Sequence, residues 1–223
     1  MKESLMDQDL KKKTDQYYGY ARTEMVDFIP GGCKRILDVG CGDGSFGRQV
    51  KVKFPDIQIH GIEMNRDAAL KAKRNIDKVI ISDIDKALRL IQNYYYDCIV
   101  FNDVLEHLPD PVDVLKRIKP KLKKDGAVLS SIPNVRYYPV IRDLLLHKNW
   151  SYTDEGILDY THLRFFTERS IYDLFEAAGF RVDFITGISE HSFGRLFKLL
   201  NLLCPGKVSD MKYMQFACLS KIK

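Results

Sequence analysis

The segment Ile36-Leu37-Asp38-Val39-Gly40-Cys41-Gly42-Asp43-Gly44-Ser45-Phe46-Gly47 constrains the fold more than any other stretch of the chain. Ile36, Leu37 and Val39 form the short apolar run that a strand buried on both faces needs. Gly40, Gly42 and Gly44 remove side chains where the backbone must turn sharply into a helix and approach a ligand closely. A strand running into a glycine-rich turn and then a helix predicts a nucleotide-like cofactor. Asp38 places a carboxylate at the end of that strand, which suits a cationic group better than a phosphate. The spacing Gly40-x-Gly42-x-Gly44 also departs from the dinucleotide fingerprint, although Gly47 would supply the last glycine of a frame begun at Gly42.

Downstream, apolar runs alternate with helical patterns. Strands are predicted at 35–39, 57–62, 79–81, 97–101 and 126–132, and helices at 45–53, 66–75, 85–92 and 111–122. Strands separated by such helices imply a parallel, doubly wound sheet. After Ile132-Pro133-Asn134 the rhythm breaks, and residues 135–166 form an aromatic and basic insertion that includes Tyr137, Arg142, His147, Trp150, Tyr160, His162 and Phe165. A segment leaving the fifth strand emerges at the ligand edge of an open α/β sheet, which makes it the expected acceptor lid. The pattern resumes with a helix at Glu168–Ala178, a strand at Phe180–Ile185, a basic amphipathic helix at 193–204 and a closing strand at Lys212–Ser220. Tyr17, Tyr18, Tyr20, Met25 and Phe28 stand at mixed helical spacing before Pro30-Gly31-Gly32, so an N-terminal helix from Thr14 to Ile29 is expected to cap the cofactor edge. The sum is one α/β domain over 1–223 with a mostly parallel, seven-stranded, Rossmann-like sheet, an N-terminal cap within 1–30 and a lid at 135–166.

The 223 residues suffice for one well-packed α/β domain. Thirty-five basic against 30 acidic residues give a formal charge of +5, too little for a dedicated nucleic-acid binder. The five cysteines contain no C-x-x-C, so no zinc cluster or dithiol centre is indicated. No signal-peptide core or membrane-length apolar run occurs, and a cytoplasmic protein is expected. The 193–204 helix is expected to pack on its own core or on a second copy in a homodimer, with peripheral membrane contact as the alternative.

Ile57-Gln58-Ile59-His60-Gly61-Ile62 ends in Glu63, at the distance from the glycine turn where a ribose-binding acid belongs. At this point the chain resembles the class I S-adenosylmethionine-dependent methyltransferases, whose glycine-rich first motif is similar to Leu37-Asp38-Val39-Gly40-Cys41-Gly42-Asp43-Gly44. The resemblance implies S-adenosylmethionine as cofactor, with Asp38, Gly40, Cys41, Gly42 and Gly44 at the turn and Glu63 and Met64 at the ribose. It places Ser82, Asp83 and Ile84 at the adenine and Asn102 at the methionine end.

Asp103, Glu106 and His107 follow the fourth strand at spacings of three and four, so a helical turn there would aim them at one point. Two carboxylates and an imidazole suit a divalent ion such as Mg²⁺ or Mn²⁺. The plainer alternative is a pair of polar loop residues with no ion. His162 enters through a resemblance: Tyr160-Thr161-His162-Leu163-Arg164-Phe165-Phe166-Thr167 is similar to a segment in the small-RNA ribose 2′-O-methyltransferases and the polyprenyl-phenol O-methyltransferases of ubiquinone synthesis. That implies Asp103, Glu106, His107 and His162 as metal ligands, or Glu106, His107 and His162 as catalytic groups without one. A divalent ion would lower the pKa of an acceptor hydroxyl, whereas an imidazole alone would act as general base. His60 and His191 have no evident partner pattern, and a surface or packing role is expected for His147.

Over roughly residues 30–190 the chain resembles the bacterial methyltransferases of lipopolysaccharide and other surface-glycan pathways. Ile132-Pro133-Asn134-Val135-Arg136, Arg142-Asp143-Leu144-Leu145 and Gly156-Ile157-Leu158-Asp159-Tyr160-Thr161-His162-Leu163-Arg164-Phe165-Phe166-Thr167 carry that likeness. It implies O-methylation of a sugar hydroxyl. The alternatives are O- or N-methylation of a quinone precursor, small metabolite or RNA ribose, and a non-catalytic cofactor-binding subunit of a glycosyltransferase assembly.

Overall fold

The computed structural model describes Gly19 and residues 21–223. Tyr17, Tyr18 and Tyr20, and with them the first part of the expected N-terminal helix, lie outside the described residues. Within them that segment is a 3₁₀ helix at Thr23–Phe28, whose Met25 and Val26 are buried.

Five strands, β1 (Arg35–Val39), β2 (Gln58–Glu63), β3 (Lys78–Ile81), β4 (Tyr96–Asn102) and β5 (Leu122–Pro133), alternate with helices α1 (Ser45–Lys53), α2 (Arg66–Ala72), α3 (Ile84–Ala87) and α4 (Pro111–Ile118). Helix α5 (Tyr138–His147) opens the insertion, and α6 (Glu168–Ala177), β6 (Phe180–Glu190), α7 (Arg195–Leu203) and β7 (Tyr213–Ile222) complete the chain. The seven strands form one sheet in the order β3-β2-β1-β4-β5-β7-β6. The pairs among β1 to β5 are parallel, and β7 runs antiparallel between β5 and β6.

Alternate strand residues feed two apolar layers, as the two-residue period of a strand requires. Leu37, Ile99 and Val128 pack with Leu115 and Ile118 of α4 and Ile171 and Phe175 of α6 on one face. Ile36, Val100 and Leu129 pack with Met25, Phe46, Val50 and Ala72 on the other. With both faces covered, the carboxyl ends of β1, β2 and β4 are left as the edge where a ligand can be met.

Three elements depart from the sequence expectation. Helix α3 spans four residues because the amides of Arg89 and Leu90 turn back to the carbonyls of Lys86 and Ala87 three residues earlier, tightening the helix to its end. Strand β5 begins at Leu122, opposite Tyr96, with a register shift before Cys98 meets Ala127. Strand β6 continues to Glu190 beside β7. The insertion is closed at its base, where Asn134 bridges Phe166 and the Val135 amide donates to the Phe166 carbonyl at 2.9 Å. No helix among the described residues is long and apolar enough to cross a membrane.

Candidate active site

The glycine turn has the backbone its sequence demands. Gly40, Gly42 and Gly44 all have positive φ, at 71°, 53° and 79°, where a side chain is strained. At Gly40 a Cβ would also stand 2.6 Å from Cγ2 of Val104, so the turn lies flat against the segment that follows β4. The Gly40 amide donates to the Ile62 carbonyl at 2.8 Å, tying the turn to the end of β2.

Glu63 ends β2 and is buried. Its Oε2 accepts from the Gly42 amide at 2.9 Å and its Oε1 from the Asn65 amide at 2.7 Å. Burial pushes its carboxyl up, partly offset by the amides of Asn65, Gly42 and Met64. Each carboxylate oxygen retains a second lone pair for a ligand. Asp38, paired in register with Gly61 and Val100, is 1% exposed, and its Oδ2 has no partner. Burial, with the Glu63 carboxylate behind it, pushes the Asp38 carboxyl up to about 8. Both amide atoms of Asn102, at the end of β4, are buried without a partner.

The remaining residues expected at the cofactor are differently engaged. The Ser82 amide donates to the Glu63 carbonyl, which brings the end of β3 beside that of β2. Asp83 caps α3 by accepting from the Lys86 amide at 2.9 Å and pairs with Lys86 Nζ at 2.6 Å. Ile84 packs against the apolar layer of the α4 face. Cys41 is a core residue of the opposite layer, where its sulfur would stand 2.4 Å from a Cβ placed on Gly61. Its place at the turn is therefore served by its backbone.

Beyond β4 the structure brings together Glu106, His107 and His162, with one ligand atom from each lying within 4.8 Å of the others. All three are buried, and both carboxylate oxygens of Glu106 lack a hydrogen-bond partner. Burial and then the Asp103 carboxylate hold the Glu106 carboxyl well above its ordinary value. The His107 and His162 rings meet edge to face with centroids 4.7 Å apart. His107 Nδ1 lies 3.1 Å from the Thr161 carbonyl, and His162 Nδ1 lies 2.9 Å from the Ile157 carbonyl. A carbonyl only accepts, so in both neutral rings Nδ1 carries the proton and Nε2 keeps the lone pair. His162 Nε2 stands 3.9 Å from Glu106 Oε1.

The expected fourth member, Asp103, does not join them. Its φ of 54° breaks the helical turn that would have aligned it with Glu106 and His107, and the 3₁₀ turn starts only at Leu105. Its Oδ2 is instead held by the Arg22 guanidinium, with Nε at 2.5 Å, and its Oδ1 accepts from Gln215 Nε2 at 2.5 Å and the Ser131 hydroxyl at 3.3 Å. Arg22 and Gln215, the holders of Asp103, carry no signal in the sequence.

Two lid residues were also unassigned. The Thr161 hydroxyl donates to Asp159 Oδ1 at 2.7 Å and stands 3.2 Å from His107 Nδ1, which links a buried carboxylate to an imidazole. Backbone bonds fix the lid here, since the Glu106 carbonyl accepts from the amides of Leu163 and Arg164 at 2.9 and 3.1 Å. His60 and His191 do have partners, in the hydroxyls of Tyr96 (3.0 Å) and Tyr137 respectively. His147 pairs with Asp143 on the exposed face of α5, away from the cluster.

Residues 5–183 match the model of the methyltransferase domain family, and the chain belongs to that family. A ubiquinone biosynthesis O-methyltransferase of Aeromonas salmonicida is 28% identical over 190 residues, covering 81% of this chain and 74% of its own length. A malonyl-[acyl-carrier protein] O-methyltransferase of Halalkalibacterium halodurans is 30% identical over 104 residues, 44% of this chain and 38% of its own length. The chain spans only 46% of another ubiquinone biosynthesis O-methyltransferase, from Glaesserella parasuis. Among solved structures, a SAM-dependent methyltransferase from Archaeoglobus fulgidus superposes with a TM-score of 0.63 at 19% identity, over 96% of this chain and 97% of that one. The plantazolicin methyltransferase BpumL in complex with SAH superposes with a TM-score of 0.58 at 18% identity, over 98% and 85%. Fold and family together make this a class I S-adenosylmethionine-dependent methyltransferase. The site residues fit that cofactor: unpartnered buried polar atoms of Asp38 and Asn102, and an acid held at the end of β2, surround the glycine turn.

Proposed function

We propose that the chain methylates a hydroxyl of a diol-bearing acceptor, a sugar unit of a surface-glycan precursor, with His107 as general base. The observation that carries this is the convergence of two imidazoles, each with Nδ1 set against a backbone carbonyl, on the buried carboxyl group of Glu106. S-adenosylmethionine supplies an already activated methyl group, so the chain must align the acceptor and take its proton. Glu63 accepts from the ribose hydroxyls, Asp83 faces the adenine side, and Asp38 and Asn102 receive the charged amino-acid end. His107 takes the acceptor proton at Nε2. The imidazolium so formed is stabilised through Nδ1 by Thr161, which is itself bonded to Asp159.

Residues 135–166 act as the acceptor lid in this reading. Ile157, Asp159, Thr161, His162 and Phe166, which are buried, belong to the stretch that resembles the surface-glycan methyltransferases. In place of an imidazole base, Glu106, His107 and His162 would hold a divalent cation, which would lower the pKa of a bound hydroxyl. With Asp103 withdrawn, the donor set is two nitrogens and one carboxylate, which suits Mn²⁺ better than Mg²⁺. Five free cysteines accord with a cytoplasmic setting.

A second reading, methylation of a phenolic hydroxyl of a quinone precursor, is favoured by the ubiquinone biosynthesis O-methyltransferase that matches 81% of the chain. A panel of nucleotide sugars, reducing glycans and catechols, assayed with labelled S-adenosylmethionine, separates the two. Label on a sugar supports the first reading, and label confined to catechols supports the second. Wild-type rates in His107→Gln would remove the base from either.

A further inference from the structure

Helix α5 contains Val140, Ile141 and three consecutive leucines, yet none of its residues is buried. Leu145 is 71% exposed. Helix α7 buries Phe197 and turns Leu196, Leu199, Leu202 and Leu203 to solvent, with Leu202 at 76%. Leucines recurring at this helical spacing share one face. The two helices are joined through Tyr138, whose ring lies 5.0 Å from Phe197 and 4.9 Å from Phe193. Seven exposed leucines therefore gather on adjoining helices, where isolated exposed leucines would need no explanation.

The unpaired charges on the two helices are positive. Asp143 is the only carboxylate on either helix, and it is paired with Arg142 at 2.7 Å. Lys148 caps α5, Arg195 and Lys198 lie on α7, and Lys207 follows it. None of these four makes an ion pair among the described residues. We propose that the α5–α7 face docks on an anionic phospholipid surface, with its leucines entering the headgroup and acyl boundary and these cations meeting the lipid phosphates. A second copy of the chain is the poorer occupant, because a two-fold contact through this face would set its cations against themselves. The lid that carries His162 begins with α5, so docking would seat one wall of the candidate site at the lipid.

The test is flotation of the full chain with vesicles of phosphatidylcholine alone and of a three-to-one mixture with phosphatidylglycerol. Binding is expected to the mixed vesicles, to weaken with salt, and to drop about fivefold for each cation neutralised, hence on the order of 25-fold in Arg195→Gln/Lys198→Gln. Leu145→Gln/Leu202→Gln should keep the wild-type melting temperature, since both side chains are exposed, while binding falls at least about tenfold. Equal binding to neutral vesicles, or indifference to both pairs of substitutions, would overturn the proposal. So would absence of flotation, and a dimer split by the leucine pair would then name a second copy as the occupant.

Discussion

Nε2 of His162 stands 3.9 Å from Oε1 of Glu106 although the two residues come from opposite sides of the site, one from the lid and one from the turn after β4. The contact is held by backbone on both sides. The Glu106 carbonyl accepts the amides of Leu163 and Arg164, and the Ile157 carbonyl fixes the His162 ring. Groups oriented by such surrounding bonds are placed before any acceptor arrives.

If this cluster holds a cation, isothermal titration with Mn²⁺ should show one site per chain, absent in Glu106→Gln and weakened about 10- to 100-fold in His162→Ala. Asp103→Asn should leave the metal affinity within about threefold, because Asp103 is engaged by Arg22 and Gln215. Equal loss in Asp103→Asn would return that residue to the ligand set.

Glu63→Ala should weaken S-adenosylhomocysteine binding by about 1.5–3 kcal/mol, the scale of hydrogen bonds to a charged group. The amides of Gly42 and Asn65 would be left without their acceptor. Calorimetry giving an unchanged affinity would remove Glu63 from the cofactor site.

Asp38 makes stability depend on pH in a direction opposite to that of a salt-bridged acid. Its folded pKa of about 8 lies above the ordinary 3.8. Between these values the folded state holds the extra proton, so stability is greatest at the acid end and falls by up to about 1.4 kcal/mol per unit as pH rises toward 8. Asp38→Asn should flatten that part of the profile and raise the melting temperature most at pH 8 and above, while weakening cofactor binding. Thermal melts with parallel slopes for both proteins would contradict the buried, unpaired carboxyl.

Thr161→Val removes the hydroxyl between Asp159 and His107. A stability loss of about 1–3 kcal/mol is expected from the buried polar groups left short of a partner. If Thr161 positions the base, kcat should fall with its acid limb shifted while the affinity for cofactor stays the same. A purely structural role would leave the pH profile in place.

The glycine turn was legible because its chemistry is local. Gly44 starts α1 and Phe54 follows its end, so Ser45–Lys53 forms where the pattern predicts it. The apolar runs of β1 to β4 likewise declare themselves within one or two residues. What was hidden depends on distant partners or on single backbone angles. Asp103 has the right spacing to join Glu106, and only its positive φ, met by Arg22 from 81 residues away and Gln215 from 112, takes it elsewhere. Thr161 and Asp159 enter the sequence only as part of a resembling stretch, and their link to His107 exists only once the lid folds back. Tyr96 satisfies His60 from 36 residues away, a pairing visible only through the β2–β1–β4 order.

The most direct measurement is transfer of labelled methyl from S-adenosylmethionine to a diol-bearing sugar, with the bond formed identified by its stability to mild base. A base-stable methyl ether, formed by the wild type and reduced about 100-fold or more in His107→Gln with cofactor affinity retained, is the predicted result. A base-labile ester, methylation on nitrogen, or full activity in His107→Gln would contradict the assignment of a hydroxyl acceptor served by His107.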